Sequence, residues 1–256
     1  ELGMESLAIT DHGSMYGAMD FYQAAKEKGL KPILGSEFYL STSSRINKGA
    51  EDKKYFHLIL LAKDKKGYKN LLKLTSAAHL EGFYYKPRID KEILSKYAGG
   101  LIALSACLKG ELPQLILEGR FDDVKKEALW YKQNLEDFYL EIQRMPISEL
   151  ERVNSQLISL GQELKIPLVA TNDVHYINKE DAATQEILLC IQTNTTINDE
   201  KRMKKAGDYF YLKSPHEMEE LFSDLPEAIK NTAVIADKCN LELDFGQLHM
   251  PKIALP

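Results

Sequence analysis

The sequence contains few cysteines, and their placement argues against a protein held together by disulfides. Three cysteines occur among 256 residues, at Cys107, Cys190 and Cys239. An odd number of widely spaced cysteines does not form a disulfide framework of the kind that small secreted domains need. We therefore expect free thiols, a reducing compartment and a cytoplasmic location.

The sequence also lacks a long apolar run, an excess of positive charge, internal repeats and low-complexity segments. Because no apolar run reaches the length of a membrane span, we expect no transmembrane helix and no membrane partner. A formal net charge of −5 makes the chain by itself a poor candidate for strong electrostatic binding of nucleic acid. Acidic residues gathered in a pocket would instead suit cations.

The overall composition is that of a globular protein. Hydrophobic residues make up 44% and charged residues 28% of the 256 positions, which indicates a sizeable core and is compatible with one α/β barrel. The chain does not begin with Met, and Glu1-Leu2-Gly3 is typical of a helix end. We therefore expect the chain to begin inside a unit whose first strand and helix are missing.

Hydrophobic patterning predicts six strands that alternate with helices. Short apolar runs predict strands at 7–10, 33–40, 56–62, 101–105, 139–142 and 166–171. Helical patterns fall at 17–28, 67–79, 90–97, 111–118, 121–135 and 148–164. In the last of these, Ser148 is predicted to be the N-cap and Glu151 its capping-box partner. The alternation predicts an α/β fold with a mainly parallel sheet, open or closed.

The strand signal fades after residue 181. Helices are predicted at 182–192, 215–222 and 226–239, and the last two begin with proline in the first turn. Residues 249–256 are typical of an extended linker. We expect a barrel over residues 1–194, followed by a helical extension and linker over 195–256.

Two predicted strands end in the same combination of side chains. Thr10, Asp11 and His12 follow the first apolar run, and Asp173 and His175 follow the last one. Residues two apart in a strand point to the same face, so the last two side chains can reach one centre. Because the ends of buried strands commonly present functional groups, both strand ends are predicted to contribute to one site.

Further side chains able to bind metal lie in or just after other predicted strands. Taken singly, His57 is more typical of a hydrogen-bonded core histidine, and Cys107 of a small buried apolar residue. Glu37 is harder to explain in this way, because an unpaired buried carboxylate is costly. Imidazole with carboxylate suits zinc, manganese or iron, and a thiolate favours zinc. The recurrence of such groups predicts a shared metal site with these members: His12, Glu37, His57, Cys107, Asp173 and His175.

Eight stretches, in order along almost the whole chain, carry a resemblance to a known family. They are AITDHG, GSEFYL, FHLILLAKDKKGYKNLLKL, GFYYKPRID, LSACLKGE, ATNDVHY, YFYLKSPHEMEELF and PEAIKNTAVIADKC. The chain resembles the polymerase-and-histidinol-phosphatase (PHP) domain of the bacterial DNA polymerase III alpha subunit. GFYYKPRID, LSACLKGE and PEAIKNTAVIADKC are peculiar to that polymerase family rather than to metal-dependent phosphoesterases at large.

The resemblance implies a distorted parallel (β/α)7-type barrel with a metal centre at its C-terminal mouth. It implies up to about three divalent ions, zinc, manganese or iron, held by the six residues of the predicted metal site. It also implies that Asp11 orients an imidazole, and it assigns catalytic roles to Asp11, His12, Asp173 and His175. The family begins with a His-x-His strand that would precede Glu1, so we expect missing ligands and an open barrel edge.

Three functions are compatible with this resemblance. In the first, the chain is part of a DNA-directed DNA polymerase, a nucleotidyltransferase of DNA replication whose palm domain would follow Pro256. The metal centre would then support 3′–5′ exonuclease proofreading and stabilise the polymerase, and the partners would be DNA and other replicase subunits. In the second, the domain is a non-catalytic scaffold that docks a proofreading exonuclease. In the third, it is a free-standing phosphatase such as a histidinol-phosphatase, which would not explain GFYYKPRID.

Two stretches rich in lysine and arginine each have two possible interpretations. Tyr84, Tyr85, Lys86 and Arg88 mix aromatic and cationic side chains, as nucleic-acid surfaces do, but packing against a neighbouring domain is the alternative. The basic run 201–205 is typical of a solvated face, and contact with a phosphate backbone is its alternative.

Overall fold

The computed structural model of the protein describes residues 2–205, 207–246 and 250. Within these residues the chain forms eight strands and nine α-helices. The strands are β1 (Ser6–Ile9), β2 (Lys31–Ser41), β3 (Tyr55–Ala62), β4 (Phe83–Tyr84), β5 (Lys86–Ile89), β6 (Leu101–Leu104), β7 (Asp137–Gln143) and β8 (Leu168–Thr171). The helices are α1 (Ala18–Glu27), α2 (Lys65–Leu80), α3 (Lys91–Lys96), α4 (Glu111–Leu117), α5 (Phe121–Asn134), α6 (Ser148–Leu164), α7 (Ala182–Thr193), α8 (Pro215–Leu221) and α9 (Pro226–Lys238). The predicted α/β class is confirmed.

The strands form one curled sheet with the order β4-β5-β2-β3-β6-β7-β8, and β1 pairs with β2. The long strand β2 has two partners on one edge, because β1 pairs with its residues 31–34 and β5 with its residues 39–40. Asn231 of α9 donates a hydrogen bond to the Leu168 carbonyl of β8. The result is a half-barrel with a convex face covered by helices and a concave face that holds polar groups at one end.

The sheet is mixed, because β3 runs antiparallel to both β2 and β6. The connection from β2 to β3 contains only a short 3-10 turn at Glu51–Lys53, and antiparallel neighbours need no helical crossover. Alternating strands and helices therefore overestimate the parallel character of this sheet. Periodicity also does not predict the β4–β5 hairpin, since two residues of strand are too short to show a period.

Helix α6 has its predicted bounds, but its predicted N-cap is wrong. Ile147 is the N-cap, and Ser148 lies inside the helix, where its hydroxyl donates to Glu149 instead of capping with Glu151. A Ser-x-x-Glu pattern does not show whether the serine or the preceding residue begins the helix. A capping box does form at α8, between Ser214 and Glu217, and α8 and α9 begin with proline as predicted.

Alternation along the strands divides the core into two layers. Leu58 and Leu60 of β3 point to the convex face, where they pack with α2 to α6. Leu61 points to the concave face, where it packs with Ile235 and Cys239 of α9. Helix α9 thus fills one end of the concave face with apolar side chains. On the same face of β2, Ile33 packs with these residues, and Glu37 lies two turns of the pleat further along, where the face is polar.

The structure bears on some expectations about the whole chain and leaves others as predictions. Cys107, Cys190 and Cys239 are free thiols, as predicted. Among the helices described, none has both the length and the apolar character required to cross a membrane. The division of the chain at residue 194 stays a prediction. Apart from Met250, the predicted linker at 249–256 lies outside the described residues.

Arg88 is fully buried and holds the segment 42–54 against the β4–β5 hairpin. Its guanidinium group donates to four backbone carbonyl groups. The acceptors are Gly82, Arg45, Asn47 and Asp52. A planar guanidinium has five N–H groups, so it can donate to several carbonyl groups that lie on different sides of it. Arg88 is therefore a structural residue, which removes it from the predicted nucleic-acid surface.

Replacing Arg88 tests this role. We expect Arg88→Met to lower the free energy of unfolding by about 3 kcal/mol or more, because it leaves several buried carbonyl groups without donors. The matched control is Arg120→Met, which removes an exposed arginine paired with Glu118 and Asp123 and should leave the free energy of unfolding nearly unchanged. Urea denaturation gives both values. Equal midpoints for the two variants would contradict the assignment.

Candidate metal centre

The parallel pairing of β1 and β2 continues past the end of β1 and brings His12 beside Glu37. The Glu37 amide donates to the Asp11 carbonyl over 3.0 Å, and the Gly13 amide donates to the Glu37 carbonyl over 2.8 Å. His12 Nδ1 consequently lies 3.5 Å from Glu37 Oε2. Gly13 has a φ of +61°, and a Cβ there would lie 2.8 Å from Tyr39 Cε2, so this turn requires glycine.

His57 reaches the same place from β3. Because β3 is antiparallel to β2, the histidine lies near the start of its strand rather than at the end. The buried His57 imidazole contacts Glu37 Oε1, and its Nδ1 lies 3.8 Å from Cys107 Sγ. The His57 amide donates to the Lys109 carbonyl over 2.9 Å, which fixes the loop of Cys107 beside β3. A Cβ on Gly110 would lie 2.0 Å from the Ser105 carbonyl oxygen, so the loop closes only with glycine.

Asp173 and His175 follow β8 and face the first group. The ring centroids of His175 and His12 are 5.8 Å apart. His175 Nδ1 donates to the Asp173 carbonyl over 2.6 Å, which leaves Nε2 without a proton and able to accept a hydrogen bond or bind a metal. Histidines that bind metal usually donate their second ring N–H to a carbonyl or carboxylate in this way.

The structure thus brings the six residues of the predicted metal site into one cluster, which we call the donor cluster. Its members are His12, Glu37, His57, Cys107, Asp173 and His175. The donor atoms of His12, Glu37 and His57 all lie within 4.8 Å of one another. Asp11 is exposed, and its carboxylate lies beside Gly17. Its predicted role in orienting an imidazole stays a prediction, as do the catalytic roles.

The protonation states of the donor cluster suit a cation. Burial acts to raise the pKa of Glu37, but the hydrogen bond from His57 and the nearby imidazoles outweigh it, so the pKa lies below its usual value. Loss of hydration lowers the pKa of His12, against the opposing effect of Glu37. Burial raises the pKa of the Cys107 thiol, which a bound metal would reverse. At neutral pH the cluster therefore offers a carboxylate and neutral imidazole.

Two residues at the cluster have a left-handed backbone conformation. Among the described residues, five non-glycine residues have a positive φ, and two of them are Ala106, which precedes Cys107, and Asp173. Their φ values are 64° and 47°. A side chain in the left-handed region costs roughly 1–2 kcal/mol and persists only where surrounding contacts impose it.

Asn172 and Lys213, which the sequence pattern does not single out, supply such contacts at Asp173. Both side chains are buried. The Asn172 amide donates to the carbonyl groups of Tyr209 and Tyr211, at 3.0 and 2.7 Å. Lys213 Nζ donates to Asn172 Oδ1 at 3.0 Å and to the Tyr209 carbonyl at 2.6 Å. Burial lowers the pKa of Lys213. The only sequence signal is a lysine within the aromatic stretch YFYLK.

The basic run 201–205 is not a uniformly solvated face. Lys205 Nζ donates to His175 Nε2 over 2.9 Å and lies 3.8 Å from Asp173 Oδ2. Arg202 is largely buried and pairs with Glu186. Lys205 also lines a cleft of about 330 Å³ together with Tyr176 and Glu186. A positive charge therefore lies at the edge of the donor cluster, beside space for a small group.

Glu141 is a second buried carboxylate on the concave face. It accepts hydrogen bonds from Gln143 Nε2 at 2.7 Å and from Thr171 Oγ1 at 2.5 Å, which connects β7 to β8. Its other oxygen is buried and has no hydrogen-bond partner among the described residues. Burial raises the pKa of Glu141 to about 7, and the negative charges of Asp173 and Glu37 add to this effect. An acidic residue within the apolar stretch DFYLEIQ is the signal that could have identified it.

Comparison with known proteins gives a consistent family. Residues 1–145 match the PHP domain. The DNA polymerase III subunit alpha of Borreliella burgdorferi is 50% identical over 99% of this chain and 22% of its own length. The proteins of the same name from Helicobacter pylori strain 26695 and Treponema pallidum are 45% and 44% identical, over 96% and 100% of this chain and 21% and 22% of their lengths. The chain thus spans about a fifth of the length of the curated relatives it matches.

Among solved structures, a candidate metal-dependent phosphoesterase from Bifidobacterium adolescentis is a distant likeness. It has 14% sequence identity and a TM-score of 0.40, over 67% of this chain and 78% of that chain.

The raised pKa of Glu141 predicts a pH-dependent stability. With metal removed by EDTA, we expect the unfolding free energy of the protein to fall relative to that of Glu141→Gln as pH rises from 4.5 to about 7. The folded carboxyl group binds its proton more tightly than the unfolded one, so its contribution is present below pH 4.5 and is lost as pH rises through 7. The change should be about 3 kcal/mol. Glu92→Gln, at an exposed position, is the control, and parallel profiles for all three proteins would contradict the expectation.

The contacts of Lys213 predict a local effect of its removal. Lys213→Met keeps the aliphatic length but leaves Asn172 Oδ1 without its donor, so we expect a loss of about 2 kcal/mol in stability. We also expect faster hydrogen exchange at the His175 amide, which donates to the Phe210 carbonyl over 2.8 Å. Lys230→Met, on the exposed side of α9, should leave this exchange rate unchanged. Unchanged exchange in Lys213→Met would show that the loop is held by other contacts.

Proposed function

Because the chain belongs to the PHP domain family, we propose that its donor cluster holds divalent metal ions and supports hydrolysis of phosphate esters. The observation that carries this proposal is the convergence of His12, Glu37 and His57, whose donor atoms lie within 4.8 Å of one another. His12 follows β1, Glu37 and His57 lie in β2 and β3, and the cluster is completed from the loops after β6 and β8. Carboxylate, imidazole and thiol form a donor set that fits zinc, manganese or iron, and the cysteine favours zinc. We propose up to about three ions.

The residues around the cluster have distinct parts in this proposal. Divalent ions, when bound, lower the pKa of coordinated water and stabilise negative charge on phosphate oxygens. Glu37 supplies a carboxylate that is ionised at neutral pH. The hydrogen bond from His175 Nδ1 to the Asp173 carbonyl fixes the tautomer in which Nε2 carries no proton, the form that can bind a metal. Lys205 carries a positive charge at the edge of the cluster, where it suits a phosphate oxygen.

We propose that the substrate is DNA and that the reaction is 3′–5′ exonucleolytic cleavage within a replicative polymerase. Support comes from relatives named DNA polymerase III subunit alpha, which match across α7 to α9 as well as the PHP-matched residues. This match favours a polymerase subunit over a free-standing phosphatase. The proposal includes polymerisation by other parts of a longer protein, replicase subunits as partners and a cytoplasmic location.

A second candidate function is a scaffold that docks a separate exonuclease. The exposed apolar side chains of α7 favour it, since Ile187, Leu188 and Ile191 are 55%, 53% and 72% exposed. Exposed apolar patches of this kind are common at interaction sites. Bound metal without hydrolysis of DNA would favour this scaffold over the exonuclease.

Metal analysis tests the proposed function directly. We expect bound zinc, manganese or iron in the chain, and more metal in a version extended upstream to include the family's His-x-His strand. His57→Ala and Asp173→Ala should reduce metal content and lower cleavage of single-stranded DNA by at least about 100-fold. His216→Ala, an exposed histidine on α8, is the control and should change neither quantity. No metal in either form of the protein would refute the proposal.

A further inference from the structure

Exposed aromatic side chains and lysines surround one side of the donor cluster. They form a surface, which we call the aromatic rim, with these members: Tyr16, Phe83, Tyr85, Lys53 and Lys86. The three aromatic residues are 85%, 52% and 64% exposed. We propose that the aromatic rim binds a single-stranded segment of nucleic acid whose end enters the donor cluster. The inference rests on the proposed function for the cleavage step, but binding to the rim does not require metal.

The aromatic rim adjoins the donor cluster through two sets of contacts that meet at His12. On one side, Lys86 Nζ lies 5.4 Å from the centroid of the Tyr39 ring. The Tyr39 ring in turn stacks on the His12 imidazole, with 6.2 Å between centroids and an angle of 15° between the planes. Only one aromatic ring therefore separates the ammonium group of Lys86 from the first donor.

On the other side, the contacts run through His79. His79 Nε2 donates to the carbonyl of Gly13, the residue after His12, over 2.9 Å. The His79 ring lies 6.5 Å from the ring of Tyr16 and 6.3 Å from that of Phe83. Two exposed aromatic rings thus flank His79, whose imidazole contacts the loop that carries His12, so the rim borders the donor cluster.

The turn of the β4–β5 hairpin holds Tyr85 in a conformation that its own packing does not explain. Tyr85 has a φ of 60°, the left-handed region, yet its side chain remains mostly in solvent. Lys53 Nζ lies 5.0 Å from its ring centroid, and the Tyr84 ring meets it edge-on at 4.8 Å. Arg88 anchors the hairpin from below. The exposed ring is therefore presented by a rigid support, which lowers the entropy lost on binding.

The chemistry of the aromatic rim suits single-stranded nucleic acid better than duplex nucleic acid or a basic protein. Exposed rings stack on unpaired bases of any sequence, and lysines contact the phosphates between them. Lys54 pairs with Glu118, whereas Lys53 and Lys86 form no ion pair with a carboxylate among the described residues. Because the chain is acidic overall, with a net charge of −5, stacking must supply most of the affinity. With two lysines on single-stranded DNA, log K should fall with log salt with a slope of only about −1.4.

Fluorescence anisotropy of a labelled oligothymidylate, measured in EDTA with the whole chain, tests the inference without hydrolysis. We expect Phe83→Ala and Tyr85→Ala each to weaken binding by about 5- to 100-fold. Lys86→Gln should weaken binding less than either aromatic variant does, and it should reduce the magnitude of the slope of log K against log salt by about 0.7. The controls are Phe121→Ala and Lys126→Gln, at exposed positions on α5, which should bind as the unchanged protein does.

The outcomes separate this inference from the proposed function. Weaker binding by the rim variants, with normal metal content and normal hydrolysis of a small phosphodiester such as bis-p-nitrophenyl phosphate, supports the rim. The same binding result in a protein that cleaves nothing also supports the rim and refutes the exonuclease alone. Cleavage of DNA with unchanged binding by the rim variants overturns the rim and leaves the exonuclease standing. Equal or tighter binding of duplex DNA, or no binding of the oligothymidylate, also overturns the inference.

A protein partner at the same surface is a further outcome that would overturn it. If Phe83→Ala and Tyr85→Ala alter self-association in sedimentation experiments but not oligonucleotide binding, the aromatic rim is a protein interface instead. A melting temperature close to that of the unchanged protein shows that each variant folds. Tyr85→Phe, which keeps the ring, should restore binding that Tyr85→Ala loses, because stacking does not require the hydroxyl group.

Discussion

The buried carboxylate of Glu37 is the constraint on which the donor cluster depends. An ionised carboxylate on the concave face is unfavourable unless positive or polar groups surround it. His12 and His57 flank it from β1 and β3, and both contacts require features of the sheet. The β1–β2 ladder must extend to His12, and β3 must run antiparallel so that His57 lies at the same end as Glu37. The contacts of the Glu37 carboxylate therefore depend directly on the pairing and direction of the strands.

The concave face has two ends with opposite character. At one end Ile235 and Cys239 of α9 pack against apolar residues of the strands. At the other end Glu37, Glu141 and the surrounding imidazoles leave the face polar. The apolar filling limits access by water from below, and it strengthens electrostatic interactions among the polar groups above it. A half-barrel can thus bring a cluster of metal-binding side chain types together without being closed on all sides.

The sequence predicted local features well and long-range ones poorly. Apolar runs located β1, β3 and β8, because buried strands carry a strong periodic signal. The residues of the donor cluster were predicted from their positions in or just after these strands and β2 and β6. The direction of β3, the contact of Lys205 with His175 and the clamp of Lys213 on Asn172 were not predictable in this way. Each joins residues far apart in sequence, so no local pattern contains them. The prediction of Ser148 as the N-cap was wrong for a different reason. Moving the start of the helix by one residue does not change the sequence pattern on which the prediction depends.

The donor cluster joins residues far apart in the sequence, because His12 follows β1, whereas Asp173 follows β8 and its neighbour Asn172 is held by Lys213. During synthesis on the ribosome, His12 is made well before the residues that complete the donor cluster. At typical bacterial and eukaryotic elongation rates this interval is on the order of 10–40 s. Throughout that time β1, β2 and β3 can already pair and bring Glu37 beside His12 and His57, whereas Asp173, His175 and Lys213 are still missing. The complete cluster therefore requires contacts between residues far apart in sequence, and it is among the last parts of the fold to form.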